Sequence, residues 1–141
     1  MLMGRNISGL LSKQKHRPDI ICLQETCFRY EKDHPDITGF ILPNFSTRNI
    51  KRGGTVIYCK HHINDTVINI DTLLEVSAID IKLNNKLTTI VNIYETDSKT
   101  TQSEYQKIFT QISDQYVVCE SSYLLQAFDD TVLTLSRLIR K

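Results

Sequence analysis

The sequence predicts an α/β (α+β) domain, a mixed β-sheet with flanking helices. Three observations carry the expectation: apolar β-branched runs outnumber helical stripes, a hairpin signal sits mid-chain, and helix and strand patterns alternate toward the end. A length of 141 residues is one domain's worth of chain. Hydrophobic content of 40% and charged content of 23% are globular values, which excludes a fibre or a disordered tail. A net charge of +1 excludes a bulk polycation.

Along the chain, Ile7, Leu10 and Leu11 at i, i+3 and i+4 predict a short helix over residues 8–16, ahead of Pro18. Residues 19–24 form an apolar, β-branched run that ends in the polar trio Gln24-Glu25-Thr26, as a buried strand reaching a polar rim would. Residues 29–52, rich in charge, Pro, Gly and Asn, predict a long loop around one short strand at 39–42. Gly53-Gly54 opens a strand at 55–60, and 67–70 is an edge piece. Residues 76–83 and 86–94 flank Asn84-Asn85 as a hairpin. Thr101 and Glu104 have capping-box spacing, and Tyr105, Ile108, Phe109 and Ile112 make a helical stripe behind them. A short strand at 116–119 follows. Leu124, Leu125, Phe128, Val132, Leu135 and Leu138 then predict a terminal helix over about 122–140.

Cys22, Cys27, Cys59 and Cys119 lie 5, 32 and 60 positions apart, without a Cys-x-x-Cys pair, which argues against zinc. Cys22, Cys59 and Cys119 fall inside apolar runs and read as small buried hydrophobes. His61 and His62 are neighbours on a strand end, so they point apart and read as solvated. No apolar run approaches the ~20 residues of a membrane helix, and the first residues lack a secretory pattern. We therefore expect an intracellular protein, nuclear or cytoplasmic, neither secreted nor in a membrane, with the sequons at Asn6, Asn44 and Asn64 idle.

Chemistry is expected where Glu25 follows a buried strand, because strand ends of open α/β sheets are where ligands bind. A carboxylate there suits a hard cation such as Mg²⁺; the plainer alternative is a rim glutamate in a salt bridge. Residues 5–60 carry 10 Lys or Arg against 5 Asp or Glu, and Arg48, Lys51 and Arg52 would meet nucleic-acid phosphates if their loop lies beside Glu25; otherwise that loop is simply solvated.

Four segments in order, Pro18-Asp19-Ile20-Ile21-Cys22-Leu23-Gln24-Glu25-Thr26, Arg52-Gly53-Gly54-Thr55-Val56-Ile57-Tyr58, Glu75-Val76-Ser77-Ala78-Ile79-Asp80-Ile81 and Val91-Asn92-Ile93-Tyr94, resemble the endonuclease/exonuclease/phosphatase family. In particular they resemble the apurinic-like endonuclease domain at the front of non-LTR retrotransposon polyproteins. The resemblance implies about the first half of a four-layered α/β sandwich that cleaves a phosphodiester in DNA with Mg²⁺. It assigns Glu25 as metal ligand, Tyr94 as the tyrosine that approaches the scissile phosphate, and Asn6 as the first-strand asparagine that helps hold the metal. Only 19 positions separate Asn6 from Glu25. Either the first helix is shortened or Asn6 merely begins a helix and the true first strand is missing.

The resemblance covers residues 18–119 as a family-like core within a single partial domain, 1–141, whose residues 120–141 form a divergent C-terminal helix. After Cys119, where the family carries glycine-aspartate-phenylalanine-asparagine, the chain reads Glu120-Ser121-Ser122-Tyr123. A serine cannot replace the aspartate that activates water, and loss of a general base costs roughly 10²–10⁴ in rate. The family's closing aspartate-histidine pair is also absent. The expectation is a truncated, retrotransposon-derived domain without activity as written. The alternatives are a non-catalytic module that binds nucleic acid or protein, and a nuclease half completed in trans. A half-length chain is further expected to leave an apolar sheet face open to self-association unless the terminal helix covers it.

Overall fold

The computed structural model describes residues 18–24, 26, 30–46, 54–83, 85–94, 101–120, 125–128 and 132–136. Nine strands and one helix are assigned among them: β1 Ile20–Gln24, β2 Phe40–Ser46, β3 Thr55–Lys60, β4 Thr66–Val67, β5 Glu75–Leu83, β6 Lys86–Tyr94, α1 Thr101–Thr110, β7 Gln115–Glu120, β8 Leu125–Phe128 and β9 Val132–Ser136. A single 3-10 turn, Glu31–Asp33, precedes β2. The helix expected over 8–16 lies outside the described residues. Among those described, no helix is long and apolar enough to cross a membrane.

The strands form two sheets, one of five strands in the order β2-β3-β1-β9-β8 and one of four in the order β4-β5-β6-β7. The β5–β6 hairpin forms at the predicted place, with Asn85 at φ 64°, a left-handed value that asparagine tolerates. Parallel strands need a crossover, and α1 supplies it between β6 and β7. The strand expected at 39–42 is longer: β2 runs past Pro43, its register to β3 shifting between Ile41 and Asn44. A proline cannot donate to the ladder, and a bulge absorbs it.

Residues 120–141 correct the expectation of a helix. Where they are described beyond Glu120, the last residue of β7, they form β8 and β9, and β9 lies parallel to β1 from Ile20↔Val132 to Gln24↔Ser136. β1 is buried along its whole length, so the backbone groups on both its edges need partners. β3 pairs one edge; β9, with the β-branched Val132 and Thr134 in its sequence, pairs the other. The requirement of a buried central strand outweighs a helical stripe that the same apolar residues also satisfy.

Both sheets come from this chain, so the inner face of β1 and β3 is covered by the second sheet rather than by a terminal helix. Ile20, Cys22, Ile57 and Cys59 meet Ile79, Ile81, Ile90 and Cys119 in one buried cluster. Each fully buried isoleucine contributes ~1.5–3 kcal/mol, so this layer dominates the cohesion of the two sheets. On the outer face of the four-stranded sheet, Ala78, Val91 and Ile93 pack under Ile108 of α1, with Tyr105, Ile112 and Leu74 around them. The three cysteines are buried and free, and His61 and His62 are exposed, as their sequence context predicts.

Glu104 fixes α1 to the segment ahead of β5. Its carboxylate is buried and accepts from Leu73 N at 2.6 Å, Thr72 Oγ1 at 2.9 Å and Lys107 Nζ at 3.2 Å. The capping-box spacing gave no hint of this long-range use. The bond from the Leu73 amide, then those from Thr72 and Lys107, hold the Glu104 carboxyl below its ordinary value of 4.5, against the opposing effect of burial. A depressed folded-state value adds stability that is present above 4.5 and lost as pH falls through the folded value. Glu104→Gln keeps an acceptor oxygen without the titration. Its urea midpoint should therefore fall less steeply between pH 5 and 3 than that of the parent, and parallel declines would refute this.

Candidate functional site

The inter-sheet space changes character along the strands. Side chains alternate, so one face of each strand points inward at every second position. In the five-stranded sheet the inward pairs run Ile20↔Cys59, Cys22↔Ile57 and Gln24↔Thr55. In the opposing sheet they run Ile81↔Thr88, Ile79↔Ile90, Ser77↔Asn92 and Glu75↔Tyr94. Apolar layers thus give way to amides and hydroxyls, and then to a layer holding Glu75 and Tyr94. This polar end is also where β1 finishes and where Glu25 follows in sequence.

The inner polar layer is tied together by side chains. Asn92 donates through Nδ2 to Leu23 O at 2.9 Å and Val56 O at 3.0 Å, and its Oδ1 accepts from Gln24 Nε2 at 2.7 Å. Thr55 Oγ1 donates to Ser77 Oγ at 2.9 Å and lies 2.6 Å from Ser46 Oγ. Gln24, Thr55, Ser77 and Asn92 are each at most 1% exposed. One layer further out, Gly54 N donates to Glu75 Oε2 at 2.7 Å, and Thr26 N donates to Gly54 O at 3.4 Å. Gly54 has φ +95°, a conformation that favours glycine, which accounts for the glycine before β3.

Of the residues singled out from sequence, Tyr94 is described: it is buried at the end of β6, directly across from Glu75. Glu25, Asn6, Arg48, Lys51 and Arg52 lie outside the described residues. Sequence reasoning missed Gln24, Asn92 and Glu75 as members of this end. Strand parity held the signal, since Asn92 stands two positions before Tyr94 and must share its face.

Among the described residues, no group of three or more His, Cys, Asp or Glu side chains could hold a metal. The donors at the polar end are instead a single carboxylate with amide and hydroxyl oxygens, a set that suits a hard cation. Gln24 Oε1 and Thr26 Oγ1 are buried without a hydrogen-bond partner among the described residues, so oxygen donors are in place there. A cavity of about 550 Å³ lies at the other end, lined by residues including Asp19, His62, Asp80 and Leu83. Its acids are committed elsewhere: Asp19 pairs with Lys60 at 3.0 Å, and Asp80 accepts from Thr89 Oγ1 at 2.6 Å. We place the candidate site at the polar end.

Comparison with solved structures agrees with this architecture. The chain is similar to the crystal structure of truncated Caenorhabditis elegans TDP2, with a TM-score of 0.52 at 13% identity, over 85% of this chain and 55% of that one. It thus spans about half the length of that structure. Two mutants of a Cimex nitrophorin in their ferrous NO complexes align with a TM-score of 0.35 at 15% identity, over 68% of this chain and 41% of theirs. No curated protein matches the sequence. The model of the endonuclease/exonuclease/phosphatase family matches residues 5–134, nearly the whole chain. With a two-sheet sandwich whose inter-sheet space turns polar at the end of β1, the chain belongs to the endonuclease/exonuclease/phosphatase family.

Proposed function

We propose that this chain is a retrotransposon-derived relative of the Mg²⁺-dependent DNA endonucleases that keeps the cation- and phosphate-facing end of its sandwich but no longer hydrolyses DNA. The observation that carries the reading is the polar layer in which Asn92, two positions before Tyr94 on β6, bonds Gln24 at the end of β1, next to which the sequence places Glu25. Its oxygens would hold a hard cation, which when bound supplies charge neutralisation for a phosphate group. Tyr94 contributes its hydroxyl and aromatic bulk to the same end. The segment after β7 reads Ser121-Ser122-Tyr123, and a serine hydroxyl is no base near neutral pH, so water activation is what the chain lacks. Arg48, Lys51 and Arg52, in the segment between β2 and β3, supply the cationic side chains for DNA phosphates.

Incubation with supercoiled plasmid in Mg²⁺ tests the loss of hydrolysis. The expected result is nicking no faster than that of Glu25→Ala, alongside DNA binding that weakens as salt rises. Nicking by the parent that disappears in Glu25→Ala would show a working nuclease and overturn the reading. DNA binding indifferent to salt and to Lys51→Ala/Arg52→Ala would remove the phosphate-facing role.

A further inference from the structure

Each sheet has two outer strands, and an outer strand carries a row of backbone N–H and C=O groups that no neighbour bonds. Three of these edges are poor templates for another strand. β4 is two residues long, β8 is four, and β2 carries Pro43 with a register shift beside it. β7 is different. It runs six residues, Gln115–Glu120, in unbroken parallel register with β6 from Thr88↔Gln115 to Ile93↔Glu120, and no strand lies on its other edge among the described residues. Its sequence, Gln115-Tyr116-Val117-Val118-Cys119-Glu120, holds two adjacent valines, no proline, glycine or lysine, and a single charge at its end. Val117 packs on the inter-sheet core and Val118 on the cluster beneath α1, yet both stay half-buried at this margin of the sheet. On the α1 side Tyr116 is 46% exposed and Phe109 41% exposed, with ring centroids 5.1 Å apart, so apolar surface continues from the strand edge.

We propose that β7 is a docking edge for β7 of a second copy of this chain, paired antiparallel so that two four-stranded sheets become one. A strand edge is completed by another strand edge, and a two-fold axis through β7 lets one surface serve both copies. An axis perpendicular to the sheet keeps inward faces with inward faces, so residues opposite one another share parity. A centre at Val117 sets Asp114 opposite Glu120, two acids. A centre at Val118 sets Tyr116 opposite Glu120 and Val117 opposite Cys119, with Val118 facing its own copy, and like charges stay apart. The second register is therefore the one assigned. A seam this short, with two partly exposed rings per copy, falls below the ~1,200 Å² of a standard stable interface, so the dimer forms only as concentration rises.

Sedimentation velocity of the full chain under reducing conditions, at rising concentration, is the first measurement. The parent should move from the mass of a monomer toward twice that mass. Tyr116→Asp sets an acid opposite Glu120 at an exposed position, and symmetry repeats the contact, so its dimer should be about tenfold weaker. Tyr116→Lys sets a cation there and should dimerise as well as the parent or better. Val118→Cys adds a positional readout. With glutathione disulfide, which is reduced as the two thiols join, it should give a covalent dimer that neither the parent nor Val67→Cys, on the β4 edge, gives. Circular dichroism confirms that each variant folds, and should Tyr116→Asp fail to, the cysteine variants carry the test. A parent that stays monomeric at every concentration overturns the inference. So does a dimer that Tyr116→Asp leaves intact, or equal crosslinking of Val118→Cys and Val67→Cys, since association would then run through another surface.

Discussion

Asn92→Ala is expected to destabilise the chain by about 2–4 kcal/mol, through loss of the hydrogen bonds that latch one sheet to the other. Asn92 is fully buried, and no water replaces its donors to Leu23 O and Val56 O or its acceptor for Gln24 Nε2. Against a typical domain stability of about 5–15 kcal/mol the loss is large. Asn92→Asp should be worse at neutral pH, because it sets a carboxylate against two carbonyl oxygens in a site with no cationic partner among the described residues. Protonation relieves that repulsion, so the gap between the Asp and Ala variants should narrow as pH approaches 4. Urea unfolding followed by circular dichroism measures both variants. An Ala variant within about 0.5 kcal/mol of the parent, the range of ordinary surface substitutions, would show that the latch carries no net stability.

The latch also shows where the sequence was readable and where it was not. Strand existence follows from local pattern: the β5–β6 hairpin, β3 behind its glycines and β1 before its polar trio each sit where β-branched runs and turn residues place them. Which strand meets which is not local. Val132 and Leu135 satisfy a helical stripe as readily as a strand, and only the open edge of buried β1 decides between the two. The site divides in the same way. Glu25 stood out by its place after a buried strand and Tyr94 through resemblance, whereas Gln24 acquires meaning when two sheets stack and bring it to 2.7 Å from Asn92, 68 positions away, and Glu75 when it accepts from Gly54 N. Glu104 is similar, since its partners at Leu73 and Thr72 are more than 30 residues away.

The core thiols should make the chain sensitive to alkali. Cys22 is held well above its ordinary value of 9.0 by the thiol hydrogen bond with Cys119, with burial and neighbouring thiols adding to it. Burial, then the carboxylates of Asp65 and Asp19, push Cys59 up to about 12. Tyr58, which donates to Pro35 O at 2.8 Å, is raised as well, chiefly by burial. In each case the folded-state value lies above the unfolded one. The associated stability is complete below the unfolded value and drains away as pH climbs toward the folded value, because the unfolded chain ionises first. Each raised thiol then costs about 1.4 kcal/mol per pH unit above 9, so Cys22 and Cys59 together should remove about 3 kcal/mol by pH 10. Replacing Cys59 with valine keeps an apolar group of similar volume but removes one titration, which should nearly halve the slope of stability against pH between 9 and 10.5. Urea unfolding under reducing conditions across that range measures it. A Cys59→Val variant that loses stability as steeply as the parent would show that the buried thiols do not set the alkaline limit of this fold.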